Sequence, residues 1–374
     1  MGNANKKNKK NDKKKENKEN KENKQDKDLT KNQAESINSQ PIVLEKYKSE
    51  KISLKLINKQ NHSSSSDTIE EVITYPGLEN TIIIACRSGN IKEVNDICSS
   101  HDKDYSNVRV LYNFSKRIYS FILLKENSNK LCVGLDNEIT ILKLNLNDNH
   151  SADKEVSISS SDGPIYSLLE LKNGNIISAG KNIILWKKKS SIEFTNVSSI
   201  PVGNSSIINL VEFPNLNTIL ATQENTHIIY LLKNEENTIS LISELKDISS
   251  IWYKGSAQNL SNNFMLLVGK FQLNVIDGKN GVVYSIYPGI DRGTLLNYNK
   301  NDKENYWIIT SYLGDFLEFY IQDGNDMIYI DKYEFDDKEK IGWGNRLVKI
   351  NDDNFAAINH YGYIFVFNIQ KLST

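Results

Sequence analysis

Histidine, cysteine and paired acids are the side chains best able to do chemistry, and this chain uses them sparingly. Its five histidines, His62, His101, His150, His227 and His360, are scattered. None has a second histidine or a cysteine at the short spacing of a tetrahedral zinc site, so the pattern predicts no metal. Cys86, Cys98 and Cys132 contain no CxxC pair. Cys86 in IIIACR and Cys132 in KLCVGL lie in apolar runs, which predicts buried free thiols and a reducing cytoplasm. The acid pairs Asp336–Asp337 and Asp352–Asp353 fall in polar stretches and read as solvated turns, whereas general acid–base work needs a carboxylate in a dry pocket. NLNDNH and NKNDKEN lack the turn glycine and terminal glutamate of a calcium loop. No P-loop, dinucleotide fingerprint or GxSxG elbow occurs. These residues predict no enzyme and no cofactor.

Two other features offer recognition rather than catalysis. Trp343, in KIGWGNR, stands between two glycines that give it a loop backbone. At the N-terminus, MGNANKK would expose Gly2 once Met1 is removed. Gly2 is the acceptor that N-myristoylation needs, although Lys6 stands where the usual pattern takes Ser or Thr. One acyl chain holds a membrane only marginally, and Lys6, Lys7, Lys9, Lys10, Lys13, Lys14 and Lys15 would supply the second, electrostatic signal.

Residues 1–40 hold twelve lysines and seven acids, which the overall net charge of −1 conceals. The run KKNKKNDKKKENKENKENKQDKD has no apolar residue to offset the entropy of ordering, so this tail is expected to be disordered. Its charge leaves no room for a signal peptide. Apolar runs such as TIIIAC fall far short of the roughly 18 residues that a membrane helix takes.

The elements that must position any site come from the periodicity beyond residue 41. There the chain turns to short, alternating, β-branched runs broken by Gly, Asn and Asp, the pattern of strands and hairpins. SAGKNIILW reads as a hairpin, and CRSGNIKEV, GLDNEITIL, QENTHIIYL, GKFQLNVID, YLGDFLEFY and HYGYIFVFN are related to it. Their second strands open at Ile91, Ile139, Ile183, Ile228, Leu273, Phe316 and Ile364, roughly 45 residues apart, which is the period of a four-stranded propeller blade. An apolar run precedes and follows each hairpin, except that the seventh copy ends after three strands. The early run ISLKLI, residues 52–57, supplies the missing one. The expectation is an all-β, seven-bladed β-propeller over residues 41–374, four antiparallel strands per blade, closed by the N-terminal strand so that no open edge terminates the row.

The third copy, NGNIISAGKNIILW, resembles the WD40 repeat: small residues, a hairpin turn, and an apolar strand ending at Trp186. The chain departs from that family in having no Gly-His pair at a repeat start and Lys187 where Asp follows the tryptophan. The family's Asp-His-Ser-Trp network is therefore carried over to no blade. Phosphoinositide-binding propellers pair two arginines before a glycine, and DRG offers Arg292 alone, so headgroup binding is not expected. The resemblance implies one face formed by the blade-internal hairpins and the loops between blades. It brings Arg87, Arg117, Arg292, Trp343, Arg346 and Tyr361 to one rim, residue types that dominate binding energy at interfaces. Trp186, Trp252 and Trp307 are expected in the core. The implied function is a non-enzymatic scaffold for other proteins or peptide segments, a monomeric ring within a complex and without specific nucleic-acid binding. The alternatives are a peripheral membrane adaptor using the acylated basic tail and, third, a propeller enzyme with a site in the central channel.

Overall fold

The computed structural model describes residues 51–61, 67–99, 107–126, 129–146, 150–202, 205–213, 215–224, 226, 228–245, 255–261, 263–291, 293–300, 304–311, 314–323, 326–335, 341–342 and 346–372. The expectations for the tail, for Gly2, for Trp252, for Asp336–Asp337 and for His62, His101 and His227 lie outside them. Among the described residues there are strands and no helix, and hence none to cross a membrane.

Seven sheets follow one another along the chain. Blade 1 joins β2 (Ile69–Thr74), β3 (Ile82–Cys86), β4 (Asn90–Val94) and β5 (Val108–Asn113) in that order. Blade 2 repeats the meander with β6 (Ser120–Leu123), β7 (Lys130–Gly134), β8 (Asp136–Asn145) and β9 (Ser151–Pro164). Blade 3 holds β10 (Ser167–Glu170), β11 (Ile176–Ala179), β12 (Asn182–Ser190) and β13 (Glu193–Pro201). Blade 4 holds β14 (Ile207–Phe213), β15 (Thr218–Gln223), β16 (Ile229–Glu235) and β17 (Thr238–Leu245). In blade 5, β18 (Ala257–Asn259) and β20 (Val283–Asp291) flank one long element, β19 (Phe264–Asp277). The first part of β19 pairs with β18 and the second part with β20, so it fills both middle positions of that blade. Blade 6 holds β21 (Leu295–Lys300), β22 (Glu304–Thr310), β23 (Phe316–Asp323) and β24 (Asp326–Glu334).

The last blade is shared between the two ends of the chain. β25 (Arg346–Lys349), β26 (Asn354–Ile358) and β27 (Tyr363–Leu372) are completed by β1 (Lys51–Asn61), in the order β1-β27-β26-β25. β1 lies antiparallel to β27 from Lys51 opposite Leu372 to Asn61 opposite Tyr363. This is a seven-bladed propeller closed by its N-terminal strand.

The core lies between blades rather than within them. Each apolar cluster draws on two consecutive sheets: Ile82, Ile84 and Val94 of blade 1 meet Ala356, Ile364 and Val366 of blade 7, and Ile91 and Leu111 of blade 1 meet Leu131 and Leu142 of blade 2. Both faces of a sheet are therefore covered, which explains why IIIAC in β3 is buried at every position instead of alternating. Each such Ile or Leu contributes about 1.5–3 kcal/mol by leaving water. Trp307 and Trp186 are buried as expected. Trp186 Nε1 also donates to Ser178 Oγ at 2.8 Å, so part of the hydrogen bonding expected in no blade is present in blade 3.

Polar ties reinforce the seams. Ser120 Oγ donates to Ile165 O of the next blade at 2.7 Å, the Gly255 N–H donates to Asn209 Oδ1 at 2.8 Å, and Gln258 Nε2 donates to Leu295 O at 2.7 Å. Glu170 and Glu212, on successive inner strands, each accept a backbone N–H from the preceding blade, that of Lys125 and of Lys172 respectively.

One irregularity recurs in all seven blades. Where the third strand meets the fourth, one residue of the outer strand has no counterpart: Leu111, Glu155, Val197, Ile242, Ile286, Ile330 and, in β1, Ile57. A bulge of this kind bends the strand and raises its twist. The inserted residue is aliphatic in every blade but the second, where Glu155 pairs with Lys130 Nζ at 2.5 Å. Leu111, Val197, Ile330 and Ile57 turn toward the adjacent inter-blade clusters.

Candidate partner-binding rim

The junction of blades 7 and 1 gathers the charged residues of the loop face. β2 begins Ile69-Glu70-Glu71, and its pairing passes from Ile69 opposite Cys86 to Glu71 opposite Ala85, leaving Glu70 as an inserted residue on an innermost strand. Bulges re-aim side chains, and here two consecutive glutamates serve three arginines. Glu70 Oε1 accepts from Arg117 Nη2 at 2.8 Å and lies 3.9 Å from Arg87 Nε. Glu71 Oε1 lies 3.6 Å from Arg346 Nε. Arg346 opens the innermost strand of blade 7, Arg87 stands in the hairpin of blade 1, and Arg117 belongs to the loop leading to blade 2.

Aromatic rings complete the rim. The Arg117 guanidinium stands 4.5 Å over the ring of Tyr119, which in turn meets Tyr166 edge-on at 5.2 Å. Tyr361, in the hairpin of blade 7, is 56% exposed, and its ring centroid is 6.2 Å from that of His360. Burial pushes the His360 imidazole below its usual pKa; the nearby charge of Glu70 opposes this, while Arg346, Arg87 and Arg117 add to it. His360 therefore lies within electrostatic reach of the same four charged residues. Of the six rim residues expected from sequence, Arg87, Arg117, Arg346 and Tyr361 are described and are linked through Glu70, Glu71 and His360. Trp343 and Arg292 lie outside the described residues. Glu70, Glu71 and His360 were not anticipated as site residues.

The local backbone that carries these groups is tightly built. Gly89 has φ +99°, and a Cβ there would come 2.3 Å from Lys116 O. Only glycine suits that left-handed turn at that approach. The Phe114 N–H donates to Gly89 O at 3.0 Å, fixing the loop with Lys116 and Arg117 against the hairpin. Asp67 braces the same hairpin through Ser88 Oγ at 2.5 Å and Lys92 Nζ at 2.7 Å. Burial raises its pKa, but these two partners outweigh burial and leave it below the ordinary carboxylate value. Next along the face, Glu138 accepts from Ser157 at 2.7 Å, Lys154 at 3.0 Å, Thr140 at 3.0 Å and Lys116 at 3.2 Å. Burial opposes its ionisation, but these donors prevail and hold its pKa at about 2.

An exposed guanidinium such as that of Arg87 is suited to binding carboxylate and planar polar groups, with charge-assisted hydrogen bonds as the strong contacts. Chemistry elsewhere is limited. Burial pushes the Cys86 thiol up to about 12 and the Cys98 thiol up to about 11, and raises Cys132 as well. Such thiols are poor nucleophiles. Among the described residues, no group of three or more His, Cys, Asp and Glu side chains could hold a metal ion. Glu170 and Glu212 are already engaged as ties between blades.

With seven blades, their meander order and the shared last sheet described, solved structures provide the comparison. The WD40 β-propeller domain of Doa1 superposes with a TM-score of 0.62 at 12% identity, over 85% of this chain and 97% of that one. The fold is that of the WD40 propellers. A chain of the mitotic checkpoint complex gives 0.58 at 11% identity, covering 84% of this chain and 98% of its own. The WD40 domain of Neurospora crassa Pan2 gives 0.59 at 9% identity, over 84% and 95%. No protein-family model matches the chain, and no curated protein matches it in sequence. The likeness to WD40 propellers is thus one of architecture carried by very different residues.

Proposed function

We propose that this chain is a non-enzymatic interaction scaffold, a cytoplasmic WD40-type ring whose loop face receives other proteins or peptide segments. The observation that carries the reading is the rim itself: Arg87, Arg117 and Arg346 from three separate elements meet around Glu70 and Glu71, with Tyr361 exposed beside them. The Arg87 side chain, 49% exposed, supplies donors to an acidic or polar partner group. A photo-cross-linking residue at position 361, compared with one at Asn173 in the exposed turn between β10 and β11, tests it in cells. The reading predicts discrete adducts from position 361 that Arg87→Ala reduces at least tenfold, with no such adducts from position 173. Equal adduct patterns from the two positions would refute it.

A second reading, the membrane adaptor, rests on Gly2 and the lysines that follow it. Mass spectrometry of the mature N-terminus tests that route. An unmodified Gly2, with equal liposome co-sedimentation when residues 2–15 are removed, eliminates it.

A further inference from the structure

The hub at the junction of blades 7 and 1 has one more arginine than it has glutamates. Glu70 Oε1 is taken by Arg117 Nη2 at 2.8 Å, and its 3.9 Å separation from Arg87 Nε is too long for a hydrogen bond. Glu71 stands beside Arg346. The neighbouring acids are occupied as well: Asp67 pairs with Lys92, and Glu138 pairs with both Lys116 and Lys154. Arg87 therefore keeps its terminal nitrogens without an acceptor among the described residues, on a side chain 49% exposed.

His360 is the second group with bonding capacity left over. It sits at the tip of the β26–β27 hairpin, the counterpart in blade 7 of the β3–β4 hairpin that carries Arg87. Backbone bonds fix both hairpins. The Tyr363 N–H donates to Asn359 Oδ1 at 2.9 Å, Asn359 Nδ2 donates to Ile341 O at 2.6 Å, and the Arg87 N–H donates to Thr68 O at 2.7 Å. Among the described residues, nothing hydrogen-bonds to the His360 ring nitrogens. Charged groups reach the ring from four elements: Glu70 from β2, Arg346 from β25, Arg87 from its hairpin and Arg117 from the loop to blade 2. Burial lowers its pKa most, Glu70 works against that, and the three arginines deepen it. The imidazole is thus mostly neutral at pH 7, kept so by burial and surplus positive charge rather than by a bond.

We propose that Arg87 and His360 form a proton-coupled docking point for an aspartate- or glutamate-bearing segment of a partner protein. The inference rests on the reading of the loop face as the binding face, and adds which charge that face takes and how pH governs it. The carboxylate accepts from the unoccupied Arg87 nitrogens. Its charge cancels part of the field that keeps a proton off His360, so the imidazole takes one up. Tyr361, exposed at the same hairpin tip, adds contact area. By reciprocity the segment binds more tightly as pH falls through the His360 midpoint. One unmatched arginine calls for one negative charge, whereas a phosphate dianion would set a second beside Glu70 and Glu71.

Fluorescence anisotropy with the whole chain tests this. The probe is a labelled, C-terminally amidated peptide Ser-Tyr-Gly-Asp-Gly-Tyr-Ser, compared with one bearing Asn for Asp and one bearing phosphoserine for Asp. Saturable binding of the first probe is expected. It should be at least tenfold weaker for the Asn peptide and for Arg87→Ala, whose circular dichroism should match that of the unaltered chain. Affinity should rise about threefold or more from pH 7.5 to pH 5.5, a window in which the probe's carboxylate stays ionised. His360→Gln should bind within about twofold of the unaltered chain at pH 7.5 and lose that rise. Saturating probe should move the His360 imidazole midpoint upward by about half a pH unit or more in an NMR titration, the counterpart of the threefold gain. Absence of binding, unchanged binding by Arg87→Ala, an equal rise in His360→Gln, or binding of the phosphoserine peptide alone would each overturn the proposal. Cross-linking from position 361 remains a separate test, since it reports whether the loop face meets a partner whatever the charge of the segment.

Discussion

Single charges decide how the rim behaves. His360 has a folded pKa below its ordinary 6.5, burial being the first cause and the three arginines adding to it. A group depressed in this way contributes stability that is intact above 6.5 and is lost as pH falls through that value toward the folded one. Arg87→Ala should move the His360 midpoint upward and Glu70→Gln should move it downward, both read by NMR titration of the imidazole. Glu138 behaves in the same sense at lower pH. Its contribution is complete above about 4.5 and disappears as pH falls toward about 2. Glu138→Gln should cost roughly 1.5–3 kcal/mol at neutral pH, the range for hydrogen bonds to a charged group, and should flatten acid unfolding in that window. The arginines and Tyr361 were legible in the sequence as residue types at predicted loop positions. Their partners were not. IEEVIT reads as an ordinary alternating strand, and only the inserted Glu70 turns its two glutamates into a hub. Two adjacent acids on an innermost strand were the signal available.

Elements were the most readable level. The seven hairpins fall where their spacing put them, because each apolar run must cover a neighbouring blade and each turn must break it. ISLKLI was legible as the closing strand for a similar reason: it is an apolar run with no blade of its own. The recurring bulges were hidden, since Leu111, Val197, Ile242 and Ile330 continue the apolar pattern and look like ordinary strand residues. β19, by contrast, was legible: GKFQLNVID reads as a hairpin whose second strand opens at Leu273, and the two parts of β19 fill the two middle positions of blade 5. Leu54 lies opposite Ile369, is 7% exposed and belongs to the blade 6–7 cluster. Leu54→Ala removes the packed side chain and is expected to cost about 2–5 kcal/mol. Chemical denaturation should show the lower midpoint, whereas Lys55→Ala should change it little.

At the scale of the whole ring, stability is distributed over seams that each depend on both neighbours. Trp307 is fully buried between blades 5 and 6 beside Leu273 and Tyr320, and its indole N–H donates to Gln322 Oε1 at 3.2 Å. Trp307→Ala should lower stability by about 3–5 kcal/mol. Because every seam borders another, unfolding monitored by fluorescence and by circular dichroism should keep a single coincident transition; two separated transitions would mean that blades melt independently.

The pairing of β1 with β27 also sets a timetable for the chain as it is made. Lys51 meets Leu372 only after every strand between them has left the ribosome, and contacts so distant along a chain form slowly. Until then the first strand waits as an unpaired apolar ribbon beside six growing blades. Folding in the cell must therefore protect its earliest segment the longest, and delayed emergence of the final strand should expose nascent chains to chaperones and proteases at that one place.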